Sequence, residues 1–248
     1  MISVCMATYN GARFIKEQVD SILPQLGADD ELVVSDDGST DGTLEILMEY
    51  AAVDLRVKVL HHQHNPAYEK IKHSRSFYYA TANFENALKE ARGDYIFLSD
   101  QDDVWAKTKV NESIAELQNC DILMCDYSII DGESKIITEK ALGYKCISTS
   151  YMRNIMNPPF LGCIMAFKRN VLKSCIPFPK KLICHDLWIG CIGAKKFKFH
   201  ILNKNLVMHR KHNLNVSMVG GKSNTPIFYK IGYRIRLYIQ LLFFGVKK

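Results

Sequence analysis

Short apolar runs rich in β-branched residues alternate with stretches of helical periodicity through the first half of the chain. The short runs predict strands at residues 2–7, 32–35, 57–61 and 95–99. Apolar positions that recur every three or four residues predict helices between them, around residues 14–23, 44–48 and 84–91. Strands connected by helices in this order are typical of an α/β protein with a mostly parallel central sheet.

The second half of the chain has a looser pattern. It predicts a fourth helix at 106–119, strands at 122–125 and 163–167, and a helix after His185 and Asp186, whose carboxylate can cap the first turn. The chain ends in an apolar segment at 227–246 that Lys230, Arg234 and Arg236 interrupt. Its longest uncharged run has ten residues, and a bilayer crossing needs about twenty. This segment is therefore long enough to lie on a membrane but not to span it.

These patterns predict one α/β domain at 1–222 and a basic amphipathic C-terminal segment at 223–248. The chain has 248 residues, of which 48% are hydrophobic and 23% are charged, so it can bury a substantial core. Fourteen glycines and seven prolines are too few for a linker-rich or low-complexity protein. The composition excludes a disordered chain and a collagen-like one.

Charge is distributed unevenly along the chain. The net charge is +6, yet residues 187–248 hold 12 lysines and arginines and no acidic residue. The net charge of residues 1–186 is therefore −6. A basic block of this size favours attraction to phosphates, nucleic acid or an anionic membrane surface, and it does not choose among them.

The eight cysteines contain no C-x-x-C pair, and most lie in apolar surroundings. This pattern disfavours both a zinc site and a disulfide framework. Residues 1–9 form a strand-like run without the charged leader or the cleavage pattern of a signal peptide. We therefore expect a cytoplasmic protein, because free thiols persist in reducing compartments.

Two motifs follow the first two predicted strands, at the sheet edge where α/β proteins bind ligands. Tyr9, Asn10 and Gly11 place an aromatic ring on a turn, where the ring can stack on a nucleobase or pack as an ordinary turn residue. Asp36 and Asp37 repel each other unless a cation or a hydrogen-bond donor lies between them. Either carboxylate is suited to accept a hydrogen bond from a base N–H or a ribose hydroxyl.

The third motif is the densest in charge. Asp100, Asp102 and Asp103 lie within four positions at the end of an apolar strand. Such crowding is unfavourable where the backbone is partly desolvated, and a divalent cation resolves it. Oxygen ligands at this spacing suit Mg²⁺ or Mn²⁺, which would keep positions open for a diphosphate. The alternative is a solvated acidic loop that caps the next helix.

The motifs, in this order and at these intervals, resemble those of the inverting glycosyltransferase family 2, which has the GT-A (Rossmann-like) fold. The segments are MATYNG at 6–11, VVSDDGSTDGT at 33–43 and GDYIFLSDQDDVW at 93–105. The pair at 83–84 and later segments at 162–167, 185–188 and 209–216 are similar to its bacterial rhamnosyltransferase-like branch. The resemblance covers about residues 2–217.

The resemblance implies a binding role for each matching residue of the three motifs. Tyr9 and Asp37 would contact the nucleotide base. Asp100 and Asp102 would serve the ribose and the metal, with Asp102 as the direct metal ligand and Asp103 in support.

The late residues complete the predicted site. Asp186 would be the catalytic base, although relatives often carry Glu-Asp where this chain has His185 and Asp186. A cationic or metal-bound His212 would suit a diphosphate, and Arg210 would pair with phosphate oxygens. His212 is equally suited to the surface of a basic loop. No role is predicted for residues 65–82, and a histidine cluster is expected to be solvated: His61, His62 and His64.

The predicted function is transfer of a sugar, with inversion, from a nucleotide-sugar donor such as dTDP-rhamnose or a UDP-hexose to a glycan acceptor. One base and one metal site, without a second catalytic carboxylate, suit single displacement. A polyprenyl-diphosphate-linked acceptor for cell-surface polysaccharide would place the basic C-terminal segment on the anionic inner face of the cytoplasmic membrane. In the alternative, this segment packs on the domain with its basic residues in solvent.

Other classes of protein fit less of the chain. A nucleotidyltransferase would carry an early glycine-rich phosphate loop, which is missing. A non-enzymatic basic module that binds polyanions is favoured only by the last 62 residues, and these lack the motifs of known nucleic-acid-binding folds. We therefore expect no nucleic-acid partner. A catalytically inactive relative is disfavoured by the intact Asp102 and Asp186.

Overall fold

The structure is a computed structural model, and it describes residues 1–143, 147–212, 215 and 225–244. The strands within this part are β1 (Ile2–Thr8), β2 (Glu31–Asp36), β3 (Val57–His61), β4 (Tyr95–Ser99), β5 (Val104–Trp105), β6 (Ile122–Ile130), β7 (Ile136–Thr138), β8 (Met165–Lys168) and β9 (Phe199–Arg210). The helices are α1 (Ile15–Ile22), α2 (Thr43–Val53), α3 (Arg75–Glu90), α4 (Lys109–Leu117), α5 (Tyr151–Met156), α6 (Arg169–Cys175), α7 (His185–Lys196) and α8 (Ile227–Phe243).

The strands form one sheet in the order β3-β2-β1-β4-β8-β6-β9-β5, and β7 pairs with β6. β1 is parallel to β2 and β4, and β2 is parallel to β3. β8 is antiparallel to both of its neighbours, β4 and β6, and β9 is parallel to β6. The longer strands therefore run in one direction, which is the mostly parallel α/β sheet that the sequence predicts.

The central strands are covered on both faces, which is why they are nearly continuous apolar runs. All six residues of β2 are buried, and α3 packs against β1 and β2. In the register of the sheet, Thr8 pairs with Asp36 and Met6 pairs with Ser99. The ends of β1, β2 and β4 therefore meet at one edge, and the loops that carry the three motifs leave from there.

The predicted order of strands and helices in the first 125 residues is confirmed. The strand predicted at 163–167 begins at Met165, because Gly162–Ile164 forms a 3₁₀ turn. β9 was not predicted, since Asn203, Lys204 and Asn205 interrupt its apolar pattern with exposed polar side chains. Residues 65–82, which had no predicted role, contain a 3₁₀ turn and the first half of α3.

The basic C-terminal segment forms α8, which packs against α5 and α7. The predicted domain boundary at 222–223 and the predicted helix end at residue 246 lie outside the described residues. Among the helices that the structure describes, none is long and apolar enough to cross a membrane.

Two helical glycines provide a matched test of the packing of α7. A Cβ built at Gly190 would lie 2.3 Å from Cγ of Phe160, whereas one built at Gly232 in α8 would have no described atom within 4 Å. We expect Gly190→Ala to lower the free energy of unfolding by about 1–3 kcal/mol through overpacking. Gly232→Ala should raise it by about 0.4–1 kcal/mol, because alanine restricts the unfolded chain. Urea denaturation measures both, and equal stabilities would contradict this packing.

Candidate active site

A cleft of about 730 Å³ opens at the edge of the sheet where β1, β2 and β4 end. Its lining includes five of the eight predicted site residues: Tyr9, Asp37, Asp100, Asp102 and Asp186. The first four come from the strand-end motifs, and the fifth lies in the first turn of α7. Residues more than 170 positions apart thus meet in one cavity, and the other three predicted residues lie behind its wall.

The backbone of Tyr9 is held by Gln101. The Tyr9 N–H donates to Gln101 Oε1 at 2.8 Å, and the Tyr9 carbonyl accepts from Gln101 Nε2 at 3.0 Å. This pair joins the first motif to the third and leaves the Tyr9 ring 49% exposed at the cleft. A Cβ at Gly11 would lie 2.4 Å from Gln101 Oε1, so a larger residue there would displace the Gln101 amide from this contact. No role for Gln101 was predicted from the sequence, because its side chain is an uncharged amide between charged aspartates.

The two adjacent aspartates of the second motif have different surroundings. Asp36 Oδ1 accepts from the Ser39 N–H at 2.9 Å, and its Oδ2 accepts from the hydroxyls of Thr8 and Ser39 at 2.9 and 2.6 Å. Both oxygens of Asp36 therefore stabilise the turn. Asp37 lines the cleft. The structure thus separates a turn-forming carboxylate from one that faces a ligand.

The prediction that His62 and His64 are solvated is wrong. His62 Nδ1 lies 2.6 Å from one carboxylate oxygen of Asp37, and His64 Nε2 lies 2.5 Å from the other. The imidazole of His64 also stacks on Tyr79, with 4.0 Å between ring centroids, and lies 5.4 Å from the Tyr9 ring. β3 is the parallel neighbour of β2, so the residues after β3 reach the end of β2. The sequence alone did not show this pairing, which only the sheet order provides.

The segment without a predicted role supplies another wall of the cleft. Arg75, Ser76 and Tyr79 from the start of α3 line it. Asn83, one turn further along α3, donates from Nδ2 to the Thr8 carbonyl at 3.0 Å. This bond fixes α3 against the end of β1.

Asp102 and Asp103 of the third motif have different histidine partners. Asp102 Oδ2 lies 2.7 Å from His212 Nε2 and accepts from Asn215 Nδ2 at 3.1 Å. Asp103 is fully buried, and its Oδ1 lies 2.9 Å from His209 Nδ1. Among the described residues, nothing hydrogen-bonds the buried Oδ2 of Asp103.

The pKa shifts divide these groups into an ion pair, Asp103 with His209, and two carboxyls whose ionisation is disfavoured, Asp100 and Asp102. Burial raises the pKa of Asp100 to about 8, and the charges of Asp103 and Asp102 add to the effect. Burial also raises the pKa of Asp102, although the His212 hydrogen bond opposes it. Burial opposes the charged form of His209, but Asp103 outweighs it and raises the pKa of His209 to about 9. Burial likewise opposes ionisation of Asp103, yet the charge of His209 lowers the pKa of Asp103.

The residues present fit a cation of the Mg²⁺ or Mn²⁺ type. Asp100, Asp103, Cys163 and His209 each present a ligand-type atom, and these atoms lie within 4.8 Å of one another. The predicted ligands Asp102 and His212 are not in this group and form a separate pair. Burial raises the pKa of the Cys163 thiol well above its ordinary value, which keeps it protonated and disfavours a soft metal. The raised pKa of Asp100 shows that a further negative charge is unfavourable at this position, and a bound cation would relieve that cost. The unpartnered Oδ2 of Asp103 leaves one oxygen without a hydrogen-bond donor among the described residues. The predicted metal ligands therefore have different neighbours: Asp103 contacts His209, and Asp102 contacts His212.

Arg210 was predicted to pair with phosphate, but it does not line the cleft. Its side chain is 1% exposed, and Nε donates to the backbone carbonyl of Asp102 at 2.9 Å. Nη2 donates to Glu17 Oε2 at 2.6 Å, and Nη1 donates to the Ser134 hydroxyl at 2.8 Å. Arg210 therefore supports the acidic loop from behind.

Asp186 lies one residue into α7, and Cys184 occupies the N-cap position. Its Oδ1 accepts from the Leu187 N–H at 2.6 Å and from the Cys184 thiol at 2.7 Å. Within the described part of the chain, its second oxygen has no hydrogen-bond donor. One oxygen is thus held in place, and the other is available to a ligand in the cleft.

His185 occupies the position where relatives often have glutamate. Its ring stacks on Phe84 at 4.0 Å, and burial lowers its pKa despite the opposing charge of Asp186. Gly162 provides the space, since a Cβ there would lie 3.1 Å from His185 Nε2. A neutral imidazole therefore stands beside Asp186 in place of a second carboxylate.

Comparisons with known proteins identify the family of the chain. The model of glycosyl transferase family 2 matches residues 3–175. The dTDP-rhamnosyl transferase RfbG of Shigella flexneri is 38% identical over 249 residues, which covers 91% of this chain and 77% of that protein. A match over this length includes all three strand-end motifs.

Two solved structures share the fold at low sequence identity. S. aureus TarS 1–349 in complex with UDP-GlcNAc is 19% identical, with a TM-score of 0.66 over 99% of this chain and 75% of that one. The mannosyltransferase PcManGT from Pyrobaculum calidifontis, in complex with GDP-Man and Mn²⁺, is 21% identical, with a TM-score of 0.56 over 82% of this chain and 54% of that one. They show the GT-A fold that the sequence predicts. With the family model covering most of its length, this chain belongs to glycosyl transferase family 2 and is a glycosyltransferase that uses a nucleotide-sugar donor.

Proposed function

We propose that the chain transfers a sugar, with inversion, to a glycan acceptor in this cleft. The observation that carries the proposal is the convergence of Tyr9, Asp37, Asp102 and Asp186 on one cavity. An aromatic ring, a metal-binding carboxylate and a carboxylate with one available oxygen are the groups that displacement of a nucleoside diphosphate requires. No observation favours a nucleotidyltransferase or a non-enzymatic polyanion-binding module.

The donor we propose is dTDP-rhamnose, with a UDP-hexose as the second candidate. The 38% identity to a dTDP-rhamnosyl transferase supports the first, and the structural likeness to a protein that binds UDP-GlcNAc supports the second. Both donors carry a pyrimidine base. Tyr9 would stack on this base, Asp37 would accept a hydrogen bond from it, and Asp100 would bind the ribose.

The metal we propose is Mg²⁺ or Mn²⁺, held by Asp102 and His212 with Asp103 in support. A cation bound there would neutralise the charge that develops on the leaving diphosphate, which contributes several kcal/mol to such reactions. The ion pair between Asp103 and His209 would fix the position of the acidic loop. Arg210 would do the same through the Asp102 carbonyl.

Asp186 is the catalytic base in this proposal. Its free oxygen would take the proton of the acceptor hydroxyl while the acceptor oxygen bonds to the anomeric carbon. The bond from that carbon to the diphosphate breaks in the same displacement, so the configuration inverts. The neutral His185 cannot act as a second carboxylate nucleophile, which agrees with a single step.

A polyprenyl-diphosphate-linked glycan is the acceptor class that best suits the basic C-terminal part of the chain. Residues 187–248 contain 12 basic and no acidic side chains. They would be attracted to the diphosphate of such an acceptor and to anionic lipid. The enzyme would then work in the cytoplasm, at the inner face of the membrane, in the synthesis of cell-surface polysaccharide.

Thermal-shift measurements with nucleotide sugars would test this function. A ligand that binds only the folded state stabilises it by mass action and so raises the melting temperature. At a ligand concentration of 100 times the dissociation constant, the free energy of unfolding rises by about 2.7 kcal/mol. We expect dTDP-rhamnose with Mn²⁺ to give the largest shift, UDP-glucose a smaller one, and GDP-mannose none. If no pyrimidine nucleotide sugar shifts the melting temperature, the proposed donor site is wrong.

Tyr9→Ala should weaken nucleotide binding and leave the chemical step nearly unchanged. Loss of a stacked ring costs about 1–3 kcal/mol in measured systems, or roughly 5- to 150-fold in affinity. Isothermal titration with dTDP measures the dissociation constant of the nucleotide. The rate of sugar transfer at saturating donor concentration measures kcat. Tyr9→Phe is the matched control and should bind dTDP like the parent. An unchanged dissociation constant in Tyr9→Ala would exclude stacking.

A further inference from the structure

The two sides of α8 have different surroundings. On one side Leu237 and Leu241 are buried, and the ring of Phe244 lies 4.6 Å from that of Trp188. The other side exposes apolar side chains: Phe228, Ile231, Ile235, Ile239, Leu242 and Phe243. At 3.6 residues per turn, these six fall within an arc of about 120°. We call them the apolar stripe of α8.

The apolar stripe is unfavourable in water. Phe228 is 83% exposed, and Ile235 and Phe243 are 54% and 62% exposed. The neighbouring helix α5 adds two exposed methionines, Met152 and Met156. Contiguous apolar surface of this kind marks a site of interaction. Something other than water therefore covers this side of the helix in the working protein.

The charges around the stripe identify the occupant. Lys230, Arg234 and Arg236 lie on the same helix, and Arg236 is exposed beside the stripe. Residues 187–248 contain no acidic side chain. A second copy of α8 would bring like charges together without a partner for them. An apolar helix face bordered by an exposed arginine, in a part of the chain without acidic side chains, fits the surface of an anionic bilayer. The apolar side chains would enter the acyl boundary, and Arg236 would meet the headgroups.

The location of α8 connects this surface to the cleft. The Tyr229 hydroxyl donates to the Tyr78 hydroxyl at 3.2 Å. Tyr78 does not line the cleft itself, but it lies in α3 between Phe77 and Tyr79, which do. At its other end, Phe244 packs on Trp188 of α7, the helix that carries Asp186. Both ends of α8 are thus packed against helices of the active site.

We propose that the apolar stripe of α8 docks the enzyme on an anionic lipid bilayer, with the cleft held beside the membrane surface. The docking itself stands independently of the sugar chemistry. The use of docking to reach a lipid-linked acceptor rests on the proposed function. Membrane binding and donor binding are therefore separate measurements.

Vesicle flotation of the full chain tests the docking. We expect recovery with phosphatidylcholine mixed with phosphatidylglycerol, weaker recovery with phosphatidylcholine alone, and a loss at high salt, which screens the headgroup attraction. The double variant Phe228→Ser, Ile235→Ser should bind at least about tenfold more weakly, since it removes two of the apolar side chains. The matched control is Val53→Ser, Leu55→Ser, because these side chains are 85% and 94% exposed outside α8. It should bind like the parent.

A charge variant provides a second test that leaves the apolar packing intact. Arg236→Glu should weaken binding to the anionic vesicles about tenfold or more and leave binding to phosphatidylcholine unchanged. All variants should keep the melting temperature and the thermal shift of the parent with nucleotide sugar. That shift separates loss of docking from failure of the donor site.

Two results would overturn the docking proposal. The first is a flotation result: either the parent chain does not float with anionic vesicles, or the variants of the stripe float as well as the parent chain. The other is a parent that elutes as a dimer in gel filtration while the serine double variant elutes as a monomer. The stripe would then be an interface between copies of the chain.

Discussion

Asp102→Ala is expected to lower kcat/KM by at least about 10³-fold, because a metal ligand that contributes several kcal/mol is lost and each 1.36 kcal/mol is tenfold in rate. The carboxylate of Asp102 contacts His212, which does not line the cleft, and Asn215, which does. Its removal therefore separates the proposed metal ligands as well as removing one of them. Isothermal titration with Mn²⁺ provides a readout besides activity, and we expect the binding of Mn²⁺ to be lost.

The control for this variant is Asp29→Asn, which neutralises an exposed carboxylate outside the cleft. It should keep the activity and the Mn²⁺ affinity of the parent. Melting curves for both variants exclude unfolding as the cause. An Asp102→Ala protein that binds Mn²⁺ and turns over like the parent would remove Asp102 from the proposed metal site.

Asp186→Asn should lower kcat by about 10² to 10⁴-fold, the usual contribution of a positioned general base. The amide oxygen of asparagine can still accept from the Leu187 N–H, so the first turn of α7 should keep its geometry. Donor affinity, measured by titration with dTDP, should stay within about twofold, because the role proposed for Asp186 is on the acceptor and not on the nucleotide. The effect is thus expected in kcat and not in the dissociation constant of the donor.

Cys184→Ala is the matched variant for Asp186. It removes the thiol that donates to Asp186 Oδ1 and leaves the carboxylate in place. We expect a loss of less than about tenfold, which corresponds to one weakened hydrogen bond. Near-parent kcat in Asp186→Asn would show that another group removes the acceptor proton.

His64 illustrates what strand order adds to a sequence pattern. Three histidines after a strand have no carboxylate near them in sequence, and they were expected to be solvated. The sheet places β3 beside β2, so His62 and His64 reach both oxygens of Asp37. A ligand in this cleft would therefore meet a carboxylate bordered by two imidazoles and the ring of Tyr79.

Arg210 shows the limit of assigning a role from charge alone. Its guanidinium is suited to phosphate, and it lies in a basic part of the chain. The fold instead encloses it between α1 and the acidic loop, where Glu17 and the Asp102 carbonyl accept its donors. The sequence around Arg210 does not indicate these partners, because Glu17 lies 193 positions away in the chain and Asp102 lies 108 positions away.

The sequence by itself determined the α/β class, the family and three of the loops that line the cleft. Periodicity is a local property, and the carboxyl ends of neighbouring parallel strands meet at one edge of a sheet whatever the side chains are. Only the tertiary structure decided which of two adjacent carboxylates faces the cleft, which histidine neutralises Asp103, and which side of α8 remains exposed. These outcomes depend on contacts between residues far apart in the chain, and on the burial that shifts each group's pKa.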